Sequence, residues 1–451
     1  MPRFEPFAGL RYDTPTLAAH DTTLDQVVAP PYDVVDPPER AALSLRSRWN
    51  AVRVELPEDN PAAGRDRYQE AAALLAAWEA EGTLRLDGQA AFYLYQMTFD
   101  DGAGERRRTS GVIGALEAAP PGEGDVLPHE RTTPKPKSDR LDLLRACRAN
   151  LSPVWGLSLA SGLSELCRPR GEAAATARDD DGVVHELWPV TDPDALAAIC
   201  STVGSAPVVL ADGHHRYETS AAYRDERRAA NGGAAGDYDL VMALVVELAR
   251  DQLAVGPIHR LVAGIPDDLD LTDALSRRFE LRPVDLPRAA QRSGLAGGAG
   301  RLEGGAGRLE GGAGGPAGGA GELPTLHGPA GRAAVAATLE KAGGPALLTR
   351  AGAWTLHATA ATRRAAEYDV DSSQLDLALA DLPPHQLSYH HDPGEVLAAV
   401  ADGRASAGVL VRPAPVDVIA AAARDRRRMP AKTTFFTPKP RTGMVIRPVR
   451  G

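Results

Sequence analysis

Cysteine is scarce in this 451-residue chain: Cys147, Cys167 and Cys200 are an odd set, widely spaced, with no CxxC pair and no histidine at zinc-finger spacing. That excludes a disulfide scaffold and a cysteine-ligated zinc site, and it fits ordinary thiols in a reducing compartment. Long apolar runs are missing too. No stretch approaches the roughly 18 residues needed to cross a bilayer, and the opening "MPRFEPFAGLRYDTPTL" lacks a charged region followed by an apolar one. The expectation is a soluble, cytoplasmic protein with no membrane partner. Net positive charge is the third absence: 60 acidic against 50 basic residues give a formal charge of −10. A protein built for nucleic acid or an anionic membrane concentrates basic surface instead. The basic run at Arg426–Arg428 with Lys432 and Lys439 has only Phe435 and Phe436 as stacking surfaces, and the preference of a helix C-terminus for cations accounts for its arginines.

What is present is a 43% hydrophobic composition, enough for a large core, and a length that favours two or three domains. Alternation and helical spacing predict an α/β protein of the mixed-sheet (α+β) kind. Residues 1–120 read as a mixed α/β region: a Pro-rich entry, a helix over 66–81, and a hairpin of strands at 90–99 and 109–118. Residues 121–262 alternate helices and strands around the segment "APVVLADGHHRYETS". Residues 263–451 form a further α/β region, interrupted at 294–324 by a segment in which Gly-Gly-Ala-Gly-Arg-Leu-Glu recurs. Such a composition cannot bury enough apolar surface to offset chain entropy, so it reads as a flexible surface insertion.

The chemistry concentrates at Asp212-Gly213-His214-His215-Arg216. A strand that ends in glycine and turns into a helix presents unpaired N–H groups and the positive end of the helix dipole, where anions settle. Gly213 lets a phosphate approach the backbone, Arg216 can grip it bidentately, and His214 and His215 can donate to it or carry a proton. Asp212, at the strand's carboxyl end, is placed for a magnesium ion or a substrate hydroxyl. Two other readings stay open: histidines satisfied inside a core, or a metal site. Adjacent histidines diverge, which disfavours both on one metal.

"LADGHHRYETS" (210–220), with "VVAPPYDVV" (27–35), "HERTTPKPKSDRLDLLRACRANLSPVWGL" (129–157) and "MPAKTTFFTPKPRTGM" (429–444), resembles the domain-of-unknown-function family 1015. The Asp-Gly-His-His-Arg element is also similar to the phosphate-binding motif of the ParB and sulfiredoxin superfamily, above all its free-serine kinases. Those kinases carry an upstream Pro-His-Glu whose glutamate is the catalytic base, matched here by Pro128, His129 and Glu130. The resemblance implies a ParB- and sulfiredoxin-like central region over 121–262 that binds ATP or ADP with Mg²⁺. It also implies a phosphotransferase acting on a small hydroxylated metabolite, with L-serine leading, or running in reverse on phosphoserine. In that scheme Glu130 is the base and Asp212 the magnesium or hydroxyl contact. Gly213, His214, His215 and Arg216 form the phosphate cradle. Lys135, Lys137 and Arg140 can extend it, or belong to a solvated charge run in a proline-broken loop. The rival reading is a nucleotide-gated regulatory module without turnover.

Other candidates come from the residues alone. Tyr32 and Asp33 follow two stiffening prolines, and a rigid carboxylate there suits the amino group of an amino acid, as it also suits a plain strand entry. Asn50, Arg53 and Glu55 alternate along an expected strand, where Arg53 can bind a substrate carboxylate or face water. His259 and Arg260 repeat the His-Arg pairing at a strand edge.

Overall fold

The computed structural model describes residues 1–101, 105–120, 123–130, 138–266, 268–286 and 328–450. The glycine-rich insertion, Lys135 and Lys137 lie outside them. The chain divides into two units, one of residues 1–258, 363–377 and 413–451, the other of 259–362 and 378–412.

The first unit is built on a nine-stranded mixed sheet of Phe4–Glu5 (β1), Phe92–Asp100 (β2), Arg106–Glu117 (β3), Val126–Pro128 (β4), Val154–Ser158 (β5), Ala175–Arg178 (β6), Val184–Val190 (β7), Val208–Asp212 (β8) and Leu240–Glu247 (β9). Its order is β4-β8-β5-β9-β3-β2-β7-β6, with β1 beside β3. β5 is buried at all five residues and β9 at every residue but Glu247, so both lie inside the sheet with neither face in water. The expected hairpin is β2 and β3, antiparallel from Tyr93↔Ile113 to Asp100↔Arg106.

Three helices matter for the site: Arg67–Ala80 (α1), Ser138–Cys147 (α2) and His214–Ala230 (α3). α1 starts where the sequence predicts, because Asp66 accepts the N–H groups of Tyr68 and Gln69 and Gln69 bonds back to Asp66. The C-terminal residues then run across this unit. Phe435–Thr437 pairs with Ala254–Gly256, Thr442 bridges Ala29, and Arg447–Pro448 pairs with Ala149–Asn150. Residues 50–55 depart from the expected strand. Val52–Glu55 is a helical turn, with Leu56 N–H bonded to the Val52 carbonyl.

The second unit has a six-stranded antiparallel sheet of His259–Ala263 (β10), Phe279–Pro283 (β11), Ala346–Thr349 (β12), Gly352–Ala358 (β13), Gln386–His390 (β14) and Ala407–Leu410 (β15), ordered β11-β13-β12-β15-β10-β14. Helices Gly328–Ala342 (α4) and Pro393–Ala401 (α5) bury Val335, Leu339, Val396 and Leu397 against its Leu348 and Leu410.

Candidate active site

β4 and β8 are parallel neighbours, with Val208↔Val126 and Leu210↔Pro128 in register. Their carboxyl ends therefore release His129-Glu130 and Asp212-Gly213 side by side, the position at which open α/β sheets bind ligands. His129 fixes the pairing: its Nδ1 donates to the Leu210 carbonyl at 2.5 Å, and its ring lies 5.1 Å from that of His214. The Pro-His-Glu and Asp-Gly-His-His-Arg elements, 81 residues apart at the His129–Leu210 bond, thus meet.

Gly213 makes the turn from β8 into α3 at φ +81, a left-handed conformation that glycine adopts without strain. A Cβ there would lie 3.1–3.2 Å from the Arg216 guanidinium, so glycine also lets that side chain fold back over the turn. The N-cap of this 17-residue helix is Gly213, which has no side chain of its own to cap the helix. His214 Nε2 is buried with no hydrogen-bond partner among the described residues. Burial, and then the charge of His129, push the His214 imidazole down to about 3, so it serves as a neutral ring rather than a cation. His215 is half-buried one position further on.

Cations surround this mouth. Arg216 donates through Nη2 to Asp212 at 3.0 Å and through Nη1 to Ser152 Oγ at 3.2 Å and the Pro153 carbonyl at 2.6 Å. Lys439 Nζ pairs with the other Asp212 oxygen. Burial pushes the Asp212 carboxyl up, but Lys439 and Arg216 outweigh it and hold it at about 2. Arg140 lies over the Tyr32 ring at 4.5 Å, with Arg216 5.8 Å from the same ring, and donates to the Glu55 carbonyl at 2.7 Å. Asp33 is exposed nearby, and its charge acts on Arg216.

Glu130 is mostly buried, its side chain 13% exposed. One oxygen accepts Lys432 N–H at 2.5 Å. The other accepts Thr433 N–H at 3.1 Å, Thr434 N–H at 3.2 Å and Thr434 Oγ at 3.2 Å. A carboxylate has about four acceptor positions, and among the described residues Oε1 carries one bond where Oε2 carries three.

A resident magnesium ion does not fit at Asp212. Both its oxygens already carry a cation, and among the described residues no three His, Cys, Asp or Glu side chains come together. The same mouth holds Arg216 and Lys439, groups of the kind that bind phosphate, beside a buried His214 Nε2 that no hydrogen bond among the described residues satisfies.

The family model described as "Protein of unknown function (DUF1015)" matches residues 4–365. The chain belongs to the DUF1015 family. A search of curated proteins finds no match. Among solved structures, a free serine kinase in complex with AMP is 11% identical, with 71% of this chain and 90% of that one covered at a TM-score of 0.32. A conserved hypothetical protein from Pyrococcus furiosus is 10% identical over 70% of this chain and 93% of its own, at 0.30. SbnI from Staphylococcus aureus is 10% identical over 72% and 82%, at 0.31. At that distance no residue role passes from them to this chain.

Of the residues singled out in the sequence, Tyr32, Arg140, Asp212, Gly213 and Arg216 are joined in this DUF1015 chain by the contacts above, and His214 meets the ring of His129; the bonds described for Glu130 go instead to residues 432–434. Arg53 is engaged elsewhere, donating to the carbonyls of Ser44 at 2.7 Å and Ser47 at 3.3 Å, at the end of the helix Pro37–Arg46. His259 belongs to the second unit, where it is buried and its Nδ1 accepts Val411 N–H at 3.2 Å. Sequence reasoning gave no site role to Lys439, Thr434, Glu55 or Ser152. One signal for Lys439 was available: Thr-Pro-Lys-Pro occurs twice, at 133–136 and 437–440, each time inside a motif of the family resemblance.

Proposed function

We propose that this DUF1015 protein is a nucleotide-dependent phosphotransferase that moves a phosphoryl group from ADP or ATP to the hydroxyl of a small metabolite, L-serine being the first acceptor to test. The observation that supports the reading is the glycine-headed start of α3, where Arg216 and Lys439 meet on Asp212 and the His129 ring packs 5.1 Å from that of His214. Phosphoryl transfer asks little covalent chemistry of a protein and much positioning of charge. The helix start and Arg216 hold the donor phosphates, while Lys439 turns from Asp212 to the transferred group as its oxygens gain charge. The acceptor oxygen forms a bond to phosphorus as the bond to the leaving nucleotide breaks. The hydroxyl proton passes to Glu130 Oε1, the oxygen with fewer bonds among the described residues.

The test is incubation of the purified protein with ADP or ATP, with and without magnesium, and a panel of hydroxyl-bearing amino acids, followed by mass spectrometry. Phosphoserine is the expected product, and Arg216→Ala should weaken nucleotide binding by roughly 1.5–3 kcal/mol, the range for a hydrogen bond to a charged group. Nucleotide binding with no phosphorylated product from any acceptor would favour the regulatory module. No nucleotide binding at all would sink both.

A further inference from the structure

Between α2, α3 and the segment 149–152 lies a cavity of about 50 Å³. Glu55, Arg140, Ser152, Arg216, Thr219 and Ser220 line it. Its volume exceeds what a single water needs, and its lining is charged and polar.

Its chemistry is incomplete in a specific way. Glu55 is 3% exposed; one of its oxygens accepts Ser152 Oγ at 3.0 Å and lies 3.9 Å from Arg140, while Oε2 is buried without a partner among the described residues. Arg216 Nε, on the same wall, is likewise buried and unpartnered. A carboxylate kept only to neutralise two arginines would spend both oxygens on them. Here one buried acceptor and one buried donor stay unmade, and each loses its hydration with nothing in return. Burial pushes the Glu55 carboxyl up, against Arg140 and Arg216, and a cation at Oε2 would favour its charged form.

We propose that this cavity recognises the α-ammonium and α-carboxylate of an amino-acid acceptor, Glu55 Oε2 taking the ammonium and Arg216 Nε, with Arg140, the carboxylate. A zwitterion supplies the donor and the acceptor that the cavity lacks. Arg216 places it, since Nε lies 3.1 Å from where a Gly213 Cβ would be, so the bound acceptor's side chain extends toward the mouth of α3. Glu55 therefore takes the ammonium-binding role that the sequence suggests for Asp33. This inference rests on the phosphotransferase reading and narrows its acceptor to α-amino acids.

Calorimetry on the full-length protein tests it, with ADP first and then L-serine, D-glycerate (a hydroxyl in place of the ammonium) and ethanolamine (no carboxylate). Serine should bind at least about tenfold more tightly than either analogue, the lower end expected for a lost charged hydrogen bond. Glu55→Gln keeps size and the Ser152 contact but loses the charge. It should erase the preference for serine over glycerate and raise the KM for serine about tenfold or more, with ADP affinity unchanged. Glycerate binding as tightly as serine to the wild type overturns the proposal without recourse to a variant. So does unaltered serine binding in Glu55→Gln, or ADP binding with no amino acid bound. Serine binding without ADP binding would instead sink phosphotransfer and leave the pocket standing.

Discussion

Glu130 and Asp212 follow the ends of two neighbouring parallel strands and both are mostly buried, yet they are held in opposite ways. Asp212 is held by charge, with Lys439 on one oxygen and Arg216 on the other. Glu130 is held by main-chain N–H groups and a threonine hydroxyl, with His129 Nε2 3.6 Å away. The difference decides what removal costs. Removing a carboxylate that sits between cations leaves like charges facing each other. Removing one gripped by backbone donors leaves N–H groups without an acceptor.

The sharpest way to break this comparison is Asp212→Ala, which leaves Lys439 and Arg216 without their shared counter-ion. The expected loss is about 3–5 kcal/mol of stability, the cost of breaking a buried ion pair, read from urea denaturation. A loss under about 1 kcal/mol would mean that the cations find other partners and that Asp212 does not organise them. Next comes Glu130→Gln, which turns an amide NH₂ toward backbone N–H donors. Turnover should fall ~100-fold, with nucleotide affinity kept. Stability should fall by about 1–3 kcal/mol as the 432–434 turn loses an acceptor. A stability loss with turnover intact would leave Glu130 as a loop clamp only.

Acid sharpens the comparison further. The Asp212 carboxyl is held at about 2, below its ordinary value near 4, so its contribution is complete above about pH 4 and is lost as pH falls through about 2. Asp179 behaves alike: burial pushes it up, but His185 and Arg441 hold it at about 2. Stability measured from pH 5 to pH 2 should therefore drop steeply, and Asp212→Asn should flatten part of that drop. A wild-type profile unchanged in the variant would deny Asp212 its part. The smallest effect belongs to Arg53→Ala, which removes bonds to two helix-terminal carbonyls. About 1 kcal/mol of stability should go, with no change in the KM for any acceptor; a raised KM would restore the substrate role suggested by its position in the sequence.

Much of the framework was legible because its signals are local. The helix expected over 66–81 runs over Arg67–Ala80, since Asp66 caps its first turn and Gln69 closes the capping box. The apolar run ending at Asp212, the glycine and the helix from His214 likewise needed only neighbouring residues to be read. The turn at Val52–Glu55 was misread because alternation over six residues cannot separate a strand from one helical turn, and only a helix keeps the Glu55 carboxylate beside Ser152. Arg53 followed the same error: on a strand it would have faced outward, while on the turn it reaches back to Ser44.

The sequence by itself determined a strand–glycine–helix turn at Asp212-Gly213-His214. An apolar run that stops at glycine before a helical pattern needs only neighbouring residues to form that turn, and glycine takes the left-handed φ it requires. Only the tertiary structure decided which charges face that turn. Lys439 reaches Asp212 across 227 residues of sequence, Thr434 reaches Glu130 across 304, and Ser152 reaches Glu55 across 97. Coulomb and hydrogen-bond energies depend on distances of a few ångströms, and chain separation carries no information about those distances until the sheet has brought its strand ends together.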